Sequence, residues 1–423
     1  MIKTDGVIDS SQSYELSASS TSVEVALVFR HFHPILAGAA ERFRRYSVPL
    51  ADQGVHYRVF TLQEDERHPR VEQMHTGLRV QRLPAQGIPW ARDAALFQAA
   101  SQYLSSMPPE GRVLQTSLAH DLSRPWLRRI RRHGVGCLYV GTMVGRAEPG
   151  LPLWRRWVQR WKTKRNFAPF HKVVASTTVM ARWFENSGVS RDRIEIIPNG
   201  VDVGRFRPVA NASEKSQLRE TLRLPKERPV VIFAGSIVPR KGVELLIRAW
   251  PQVLAAVPEA TLVLVGGFDR PTFMTQERMQ ELSRFQESMR SLAAQPECRG
   301  SITFAGESDH LEDWLRAADV FAFPSEQEGM GNVVLEAMAC GLPCVITQFH
   351  GMPEAEFGTA GQEFILVPRD EISLAKGLLD VLAEERKRAA LGNAARRWTC
   401  DKMDVKLTIQ AYQSLYHSQA AGV

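Results

Sequence analysis

Two glutamates eight positions apart, Glu328 and Glu336, have the spacing in this sequence that best suits ligand chemistry. Glu328 follows an apolar run in a loop bracketed by glycines, and Glu336 falls in the opening turns of a helical pattern that Gly341 ends. A helix start preceded by glycines offers backbone N–H groups to a phosphate, and nearby carboxylates accept hydrogen bonds from hydroxyl groups. The pattern therefore favours a ligand with both phosphates and vicinal hydroxyls. The alternative is a pair of solvated glutamates that bind nothing.

Two cations, Arg240 and Lys241, stand in the turn GSIVPRKG, between an apolar run and a helical pattern. At the carboxyl edge of a parallel sheet, such fixed positive charges can neutralise a diphosphate leaving group. Neither half of the chain has GxGxxG after a first strand with an acidic residue about 20 positions later, and GxxxxGK[ST] is absent. A nucleotide sugar therefore fits the sequence better than a nicotinamide dinucleotide or a P-loop ATP.

The elements that must position these residues alternate between short β-branched runs and longer amphipathic stretches, a pattern typical of βαβ units and parallel sheets. With 423 residues the chain is long enough for two or three domains. We predict two facing Rossmann-like, doubly wound domains with a cleft between them. Predicted strands of the first start at Val23, Tyr57, Leu78, Arg112, Cys137, Lys172 and Ile194, and those of the second at Pro229, Ala260, Ser301, Asp319, Pro343 and Glu363.

The turn-rich segment IPNGVDVGRFRP marks the boundary between the two predicted domains, near Asn199. No strand pattern follows the last helical stretch, VKLTIQAYQSLYH, which we expect to return to the first domain. The predicted organisation is a disordered tail over 1–20, a first Rossmann-like domain over 21–198, a second, which contains the motifs that suit a nucleotide sugar, over 199–400 and a C-terminal helix within 401–423.

The composition, with 44% hydrophobic and 23% charged residues, is that of a globular protein. No run of 18 apolar residues appears, and the polar N-terminus lacks the apolar core of a signal peptide. The five cysteines include no CxxC pair, which argues against a disulfide framework and against a zinc site. We therefore expect a cytoplasmic protein without a bound metal.

The motifs GSIVPRKG, IPNGVD and FPSEQEGMGNVVLEAMACGLP together resemble those of the retaining nucleotide-sugar glycosyltransferases of family four, which have the GT-B fold. The resemblance extends from Val23 onward and is strongest in the second half, where the three motifs keep the family's order and spacing. At two places, Ala37-Gly38 and His350-Gly351, a pair of glycines is more common in the family. Two further places also depart from the family pattern. Ser236 stands where many members have an arginine, and Met143 and Val144 follow Thr142 where a histidine is common.

The resemblance implies a role for each motif residue. Glu328, Lys241 and Arg240 would be catalytic: Glu328 would contact the hydroxyls of the donor sugar, and the two cations would bind its diphosphate. Glu336 would contact the ribose, and the first domain, 21–198, would be the acceptor side. Apart from the resemblance, Glu354, in HGMPE, either closes the cleft or caps a helix. The other donor-binding residues would be Gly38, Ser236, Gly306, Gly329, Met330, Gly331 and Asn332.

The resemblance also implies an activity. The protein would move a sugar, with retention, from a nucleotide-diphosphate sugar to a hydroxyl of a glycan or a lipid-linked acceptor, in cell-envelope or exopolysaccharide synthesis. No DxD metal site is visible, so we expect no cofactor and no required metal. The alternatives are a nucleotide-sugar epimerase of the same fold and a non-catalytic protein that binds sugar nucleotides.

One basic stretch, LPLWRRWVQRWKTKRNF, suggests a further partner. It places Trp154, Trp157 and Trp161 at helical spacing among arginines and lysines, within the first 200 residues, where 28 Lys and Arg face 17 Asp and Glu. Such a helix can lie in an anionic membrane interface, here the inner face, or it can pack its tryptophans on the sheet. Because no nucleic-acid-binding motif accompanies these charges, we expect no nucleic-acid partner.

Overall fold

A computed structural model describes residues 22–34, 38–85, 88–142, 153–267 and 276–421, and it contains two largely parallel sheets. The first has the strand order β3-β4-β2-β1-β5-β6-β7-β8, and the second has the order β11-β10-β9-β12-β13-β14. The strands of the first sheet are β1 (Val23–Val28), β2 (Val55–Gln63), β3 (Val71–His75), β4 (Leu78–Pro84), β5 (Arg112–Thr116), β6 (Gly136–Val140), β7 (Lys172–Ala175) and β8 (Ile194–Ile196). Those of the second are β9 (Val230–Ala234), β10 (Thr261–Val265), β11 (Ile302–Gly306), β12 (Val320–Phe323), β13 (Cys344–Thr347) and β14 (Ile365–Val367).

Helices pack on both faces of each sheet. The described α-helices are α1 (Gly38–Ala51), α2 (Pro89–Ser105), α3 (Arg124–Arg132), α4 (Leu153–Phe167), α5 (Thr178–Asn186), α6 (Ala212–Thr221), α7 (Val243–Ala256), α8 (Gln276–Ala293), α9 (Leu311–Ala317), α10 (Asn332–Ala339), α11 (Glu354–Phe357), α12 (Glu371–Leu382), α13 (Glu385–Lys402) and α14 (Val405–Ala420). We call β1–β8 with α1–α5 and α14 the first lobe, and β9–β14 with α6–α13 the second lobe. The predicted α/β class with two parallel-sheet domains is confirmed.

The continuous apolar runs reflect burial on both faces. Every residue of β5, β9, β10 and β12 is buried, as expected of central strands covered by helices on both sides. Each predicted strand is present within a few residues. The edge strand β3 was not predicted, because its sequence VEQMH contains few apolar residues and its single pairing is antiparallel to β4.

The last helix, α14, covers the first sheet. Its buried residues Tyr412 and Tyr416 join the core that β1, β2 and α1 form. The hydroxyl of Tyr416 lies 3.0 Å from that of Tyr57 and donates a hydrogen bond of 2.8 Å to Oε1 of Gln115. A buried polar chain thus connects α14 to β2 and β5.

The chain crosses between the lobes twice, at two adjacent segments. The backbone N–H of Val201 donates to the carbonyl of Met403 (2.8 Å), and the N–H of Val405 donates to the carbonyl of Val201 (2.9 Å). At Gly200 a Cβ atom would lie 2.4 Å from Cα of Val405, so this close approach requires glycine. The two lobes are therefore joined by a pair of hydrogen-bonded connections.

Candidate active site

A cavity of about 420 Å³ lies between the two lobes. Its lining comes from segments that follow the carboxyl ends of strands in both sheets, which is where open α/β sheets bind ligands. The first lobe contributes Gly38, Ala39, Arg42 and Thr142, and Asn199 lies at the crossing. The second lobe contributes Ala234, Gly235, Arg240, Lys241, Leu311, Glu328, Gly329, Met330, Gly331, Asn332 and Val333.

Three side chains hold the carboxylate of Glu328 in the cavity. Its Oε1 atom lies 2.7 Å from Nζ of Lys241 and 3.1 Å from Nη1 of Arg240, and it accepts a hydrogen bond of 2.9 Å from the hydroxyl of Ser325. All these contacts reach one oxygen, Oε1, so within the described part of the chain none of them occupies Oε2. The structure thus brings the three predicted catalytic residues together, with one carboxylate oxygen available to a ligand.

Backbone geometry places the two cations beside Glu328. Arg240 and Lys241 lie in a 3₁₀ turn that ends at Gly242, which has a φ of 70°. A Cβ atom on Gly242 would lie only 2.0 Å from the carbonyl oxygen of Pro324, so glycine is required both for the conformation and for the approach to the end of β12. This turn fixes the reach of Lys241 to the carboxylate.

Burial affects the protonation of Lys241. The surrounding protein lowers the pKa of its ammonium group, whereas the negative charge of Glu328 opposes that shift. The ammonium also lies 5.8 Å from the centre of the Phe323 ring. The adjacent carboxylate favours the charged form of Lys241, and a desolvated charge acts more strongly on a ligand than one in water.

The glycine-rich loop ends at the N-terminus of α10. Gly331 has a φ of 77°, and among the described residues no side chain caps this helix end. Gly331, Asn332 and Val333 line the cavity, so the uncapped N-terminus of α10 borders it. Oδ1 of Asn332 accepts a hydrogen bond of 2.8 Å from Nδ2 of Asn199. The crossing between the lobes is therefore tied directly to this loop.

Glu336 occupies a separate position, one turn further along α10. Part of its side chain remains exposed, but burial raises its pKa to about 7. The positive charges of Arg45 and Arg205 oppose that shift, and the negative charge of Glu312 adds to it. Because Arg45 belongs to α1, Glu336 faces the first lobe.

Not all the predicted donor-binding residues line the described part of the cavity. Gly38, Gly329, Met330, Gly331 and Asn332 do, whereas Glu336, Ser236 and Gly306 do not. Ser236 lies in the same turn as Gly235, which does line it, and Gly306 ends the edge strand β11. The two residues after Thr142 lie outside the described part of the chain.

Sequence reasoning missed Arg42, Asn199 and Thr142 as cavity residues. Arg42 could have been found, because it follows Gly38 by one helical turn and residues four apart share a helix face. The contact of Asn199 depends on the mutual placement of the lobes and leaves no local pattern.

A second contact joins the lobes at α11. The carboxylate of Glu356 accepts hydrogen bonds from the backbone N–H of Thr178 (2.5 Å) and from its hydroxyl (3.4 Å), at the N-terminus of α5. A carboxylate at a helix N-terminus is stabilised by the exposed N–H groups and by the helix dipole. The side chain of Glu354, the residue predicted from sequence, is outside the described set.

The tryptophans of α4 lie on the surface. Trp154, Trp157 and Trp161 are 62%, 67% and 47% exposed, so the alternative in which they pack on the sheet is wrong. The guanidinium of Arg155 lies 5.2 Å from the ring of Trp154, and that of Arg165 lies 4.9 Å from the ring of Trp161. None of the helices within the described ranges has the length and apolar character needed to cross a bilayer.

Among the described side chains, no group of three or more His, Cys, Asp or Glu residues could hold a metal ion. The charged groups that line the described cavity are Arg42, Arg240, Lys241 and Glu328. Positive charges and an open helix N-terminus suit an anion, and the carboxylate suits hydroxyl groups.

Two family models match consecutive parts of the chain. The model for glycosyl transferases group 1 matches residues 214–398, and that for a glycosyl transferase 4-like domain matches residues 37–200. Together they cover most of both lobes. The chain belongs to the glycosyltransferase family that these two models together describe, which confirms the resemblance seen in the motifs.

A curated relative is the GDP-mannose-dependent monoacylated alpha-(1-6)-phosphatidylinositol monomannoside mannosyltransferase of Corynebacterium glutamicum. It is 33% identical over 241 residues, which cover 54% of this chain and 58% of that protein. This chain spans about half the length of the curated relatives that it matches.

Solved structures confirm the fold. Sucrose-phosphate synthase from Thermosynechococcus elongatus superposes with a TM-score of 0.75 at 24% identity, over 94% of this chain and 99% of that one. The Anabaena protein HepE, solved with UDP and glucose, gives a TM-score of 0.69 at 19% identity, over 93% and 99% of the two chains. The protein therefore has the GT-B fold.

Proposed function

We propose that this protein transfers a sugar, with retention of anomeric configuration, from a nucleoside-diphosphate sugar to a hydroxyl acceptor. The observation that carries the proposal is the ion-paired cluster of Glu328, Lys241 and Arg240, which lines the inter-lobe cavity with the open end of α10. A phosphate-binding helix end, two cations and a carboxylate match the parts of such a donor.

In the proposed reaction the acceptor oxygen attacks the anomeric carbon from the side of the leaving group. The bond from that carbon to the diphosphate oxygen breaks, and the departing phosphate takes the proton of the acceptor hydroxyl. The transition state is oxocarbenium-like, so negative charge grows on the diphosphate. Lys241 and Arg240 stabilise that charge, while Oε2 of Glu328 accepts hydrogen bonds from hydroxyls of the sugar. The proposed chemistry invokes no metal ion.

Names of related proteins suggest which donors to test first. The corynebacterial relative is named as GDP-mannose-dependent, and HepE was solved with UDP. We propose a glycan or lipid-linked acceptor of the kind used in cell-envelope or exopolysaccharide synthesis. A thermal-shift screen of UDP-, GDP-, ADP- and TDP-sugars identifies the donor, since a ligand that binds only the folded protein raises its Tm.

The decisive assay incubates the stabilising donor with and without acceptor preparations in the presence of EDTA. Release of the nucleoside diphosphate together with an acceptor that has gained one sugar supports the proposal. Conversion of the donor sugar without any acceptor would instead indicate an epimerase. Binding of a donor without turnover on any acceptor fraction would indicate a non-catalytic protein.

We further propose that the enzyme works in the cytoplasm, bound reversibly to the inner membrane face through α4. The exposed Trp154, Trp157 and Trp161 would enter the headgroup region, and the neighbouring Arg and Lys residues would face anionic lipid. Each basic residue near such a surface contributes about 1 kcal/mol, so several give weak, salt-sensitive binding.

Flotation with phosphatidylserine-containing vesicles tests this location. We expect binding at low salt that is lost in a Trp157→Ala/Trp161→Ala variant of unchanged Tm, because the exposed rings contribute little to the core. The matched control is Ile372→Ala, at a site in the second lobe that is 70% exposed. Equal binding of the wild type and the tryptophan variant would contradict the proposed surface.

A further inference from the structure

The first lobe places its own cation in the cavity. Arg42 of α1 lines the same cavity as Arg240 and Lys241, which belong to the second lobe. Side chains of an α-helix point back toward its N-terminus, so Arg42 reaches toward the turn at Gly38, where α1 begins. Its guanidinium also lies 5.1 Å from the centre of the Phe43 ring. A positive charge is thus presented beside a helix start, opposite the cations of the second lobe.

The charge of the second lobe is already partly neutralised. Lys241 and Arg240 both contact Oε1 of Glu328, at 2.7 Å and 3.1 Å. Two positive charges that share one carboxylate leave a net charge of one for a ligand. A departing nucleoside diphosphate carries more negative charge than that, so the second lobe alone undercompensates it.

Arg42 has capacity to bind an anion. Its Nε atom is buried and has no hydrogen-bond partner among the residues that the structure describes. A buried donor without an acceptor costs free energy, and a phosphate oxygen would remove that cost. By contrast, the neighbouring Arg44 and Arg45 of α1 are both paired with Glu41.

We propose that Arg42 binds the diphosphate of the donor from the first lobe and thereby couples donor binding to closure of the cleft. This inference rests on the proposed function and names a residue for its donor site. The diphosphate would lie between cations that belong to different lobes, so its charge would draw the lobes together. Arg42 would then contribute both to donor affinity and to the stabilisation of the leaving group.

Calorimetric titration separates the phosphate contact from a structural role. The titrated ligands are UDP, GDP, ADP and TDP, together with the nucleoside of the diphosphate that binds most tightly. Each is added to the wild type, Arg42→Gln, Arg42→Lys and the control Arg132→Gln, which changes an exposed arginine of α3. We expect Arg42→Gln to weaken binding of the diphosphate at least about tenfold, because hydrogen bonds between charged groups are stronger than those between neutral groups. Nucleoside affinity and Tm should stay as in the wild type, and Arg42→Lys should recover part of the loss.

Kinetics supply a second measure, because Arg42→Gln should raise the KM for the donor sugar and also lower kcat. Unchanged diphosphate affinity in a folded Arg42→Gln variant would overturn the inference and leave the proposed function standing. Equal losses of affinity for the diphosphate and the nucleoside, with a lower Tm, would show that Arg42 has a structural role and would also overturn the inference. A wild type that binds none of the four diphosphates would overturn the proposed function and the inference with it.

Discussion

The two walls of the cleft present their charges in different ways. The second lobe holds Lys241 and Arg240 against Glu328, in a turn and a loop whose glycines are required by the backbone. The first lobe presents Arg42 in the first turns of α1, with a buried Nε that has no partner among the described residues. The cations of the second lobe are already paired and partly neutralised without a ligand, whereas Arg42 would gain a partner when a ligand bridges the cleft. This difference assigns the rigid part of the site to one lobe and the responsive part to the other.

The largest expected effect comes from removing the ion-paired residues that the second lobe places in the cleft. Glu328→Ala and Lys241→Ala should each lower kcat about 100- to 1,000-fold, because each removes a group placed to act on the reacting donor. Activity is measured on a defined donor and acceptor, with circular dichroism as the check on folding. Glu244→Gln, which alters an exposed glutamate of α7, is the control and should retain activity. Wild-type turnover in either folded site variant would break the comparison.

The next largest effect is the pH dependence of stability that the Glu336 carboxyl causes between the two lobes. Its pKa of about 7 in the folded protein lies above the ordinary value of 4.5, so the folded state keeps this proton longer than the unfolded state. Its contribution to stability is complete below about pH 4.5 and is lost as the pH rises through 7. Glu336→Gln mimics the protonated form, so its free energy of unfolding should match that of the wild type near pH 4.5 and exceed it at pH 8. The expected excess is about 2 kcal/mol, because solvent at the cleft reduces the effect of the full pKa shift.

Urea denaturation of the wild type and Glu336→Gln at a series of pH values measures that difference. Gln280→Ala, at an exposed position of α8 that carries no titratable group, is the control and should give a difference that does not depend on pH. A constant difference for Glu336→Gln as well would show that this carboxyl is not held in its neutral form.

A smaller effect is expected within the first lobe, whose core depends on the end of the chain. Tyr416→Phe removes the hydroxyl that connects Tyr57 and Gln115, and it leaves both of those buried groups short of a partner. The free energy of unfolding should fall by about 1 to 2 kcal/mol. Tyr412→Phe, beside it on α14, is the matched control and should change stability less. Equal losses would mean that packing of the rings, rather than the polar chain, holds α14 in place.

The smallest effect concerns the contact between the lobes at α11. Glu356→Gln keeps the shape of the side chain but removes the charge at the N-terminus of α5, which should weaken the contact by about 1 kcal/mol. In small-angle scattering the variant should show a larger radius of gyration without ligand and the wild-type value at saturating donor. Glu363→Gln, whose carboxylate bonds within the second lobe, is the control. An unchanged radius in Glu356→Gln would show that other contacts set the spacing of the lobes.

The sequence predicted the central strands and the turn and loop that carry Arg240, Lys241 and Glu328, because the conformation of each depends on residues close together in the chain. A strand buried on two faces must be apolar along its length, and the turn at Gly242 and the loop at Gly331 require glycine at fixed positions. Such requirements leave a pattern that one sequence displays. The edge strand β3 has neither requirement, and it was missed.

Contacts between the lobes could not be predicted in the same way. The hydrogen bond from Asn199 to Asn332 and that from Thr178 to Glu356 join residues more than 130 positions apart, and no spacing in the sequence specifies them. The contact that Glu356 makes with Thr178 was not predicted. The predicted role of Glu354, either closing the cleft or capping a helix, stays a prediction, because that side chain lies outside the described part of the chain. The surface position of the α4 tryptophans also needed the structure, because helical spacing fits a core as well as a membrane.

The return of α14 to the first sheet has a consequence for synthesis of the protein. The strands of that sheet end at Ile196, but the helix that covers one of its faces begins at Val405. At about 5 to 20 residues per second, the ribosome takes roughly 10 to 40 seconds to make the second lobe in between. During that interval the side of the sheet around Tyr57 stays without its cover, so the lobe that is made first is completed last. A nascent chain stalled before Val405 should accordingly engage chaperones that bind apolar surface, and release past Ala420 should end that engagement.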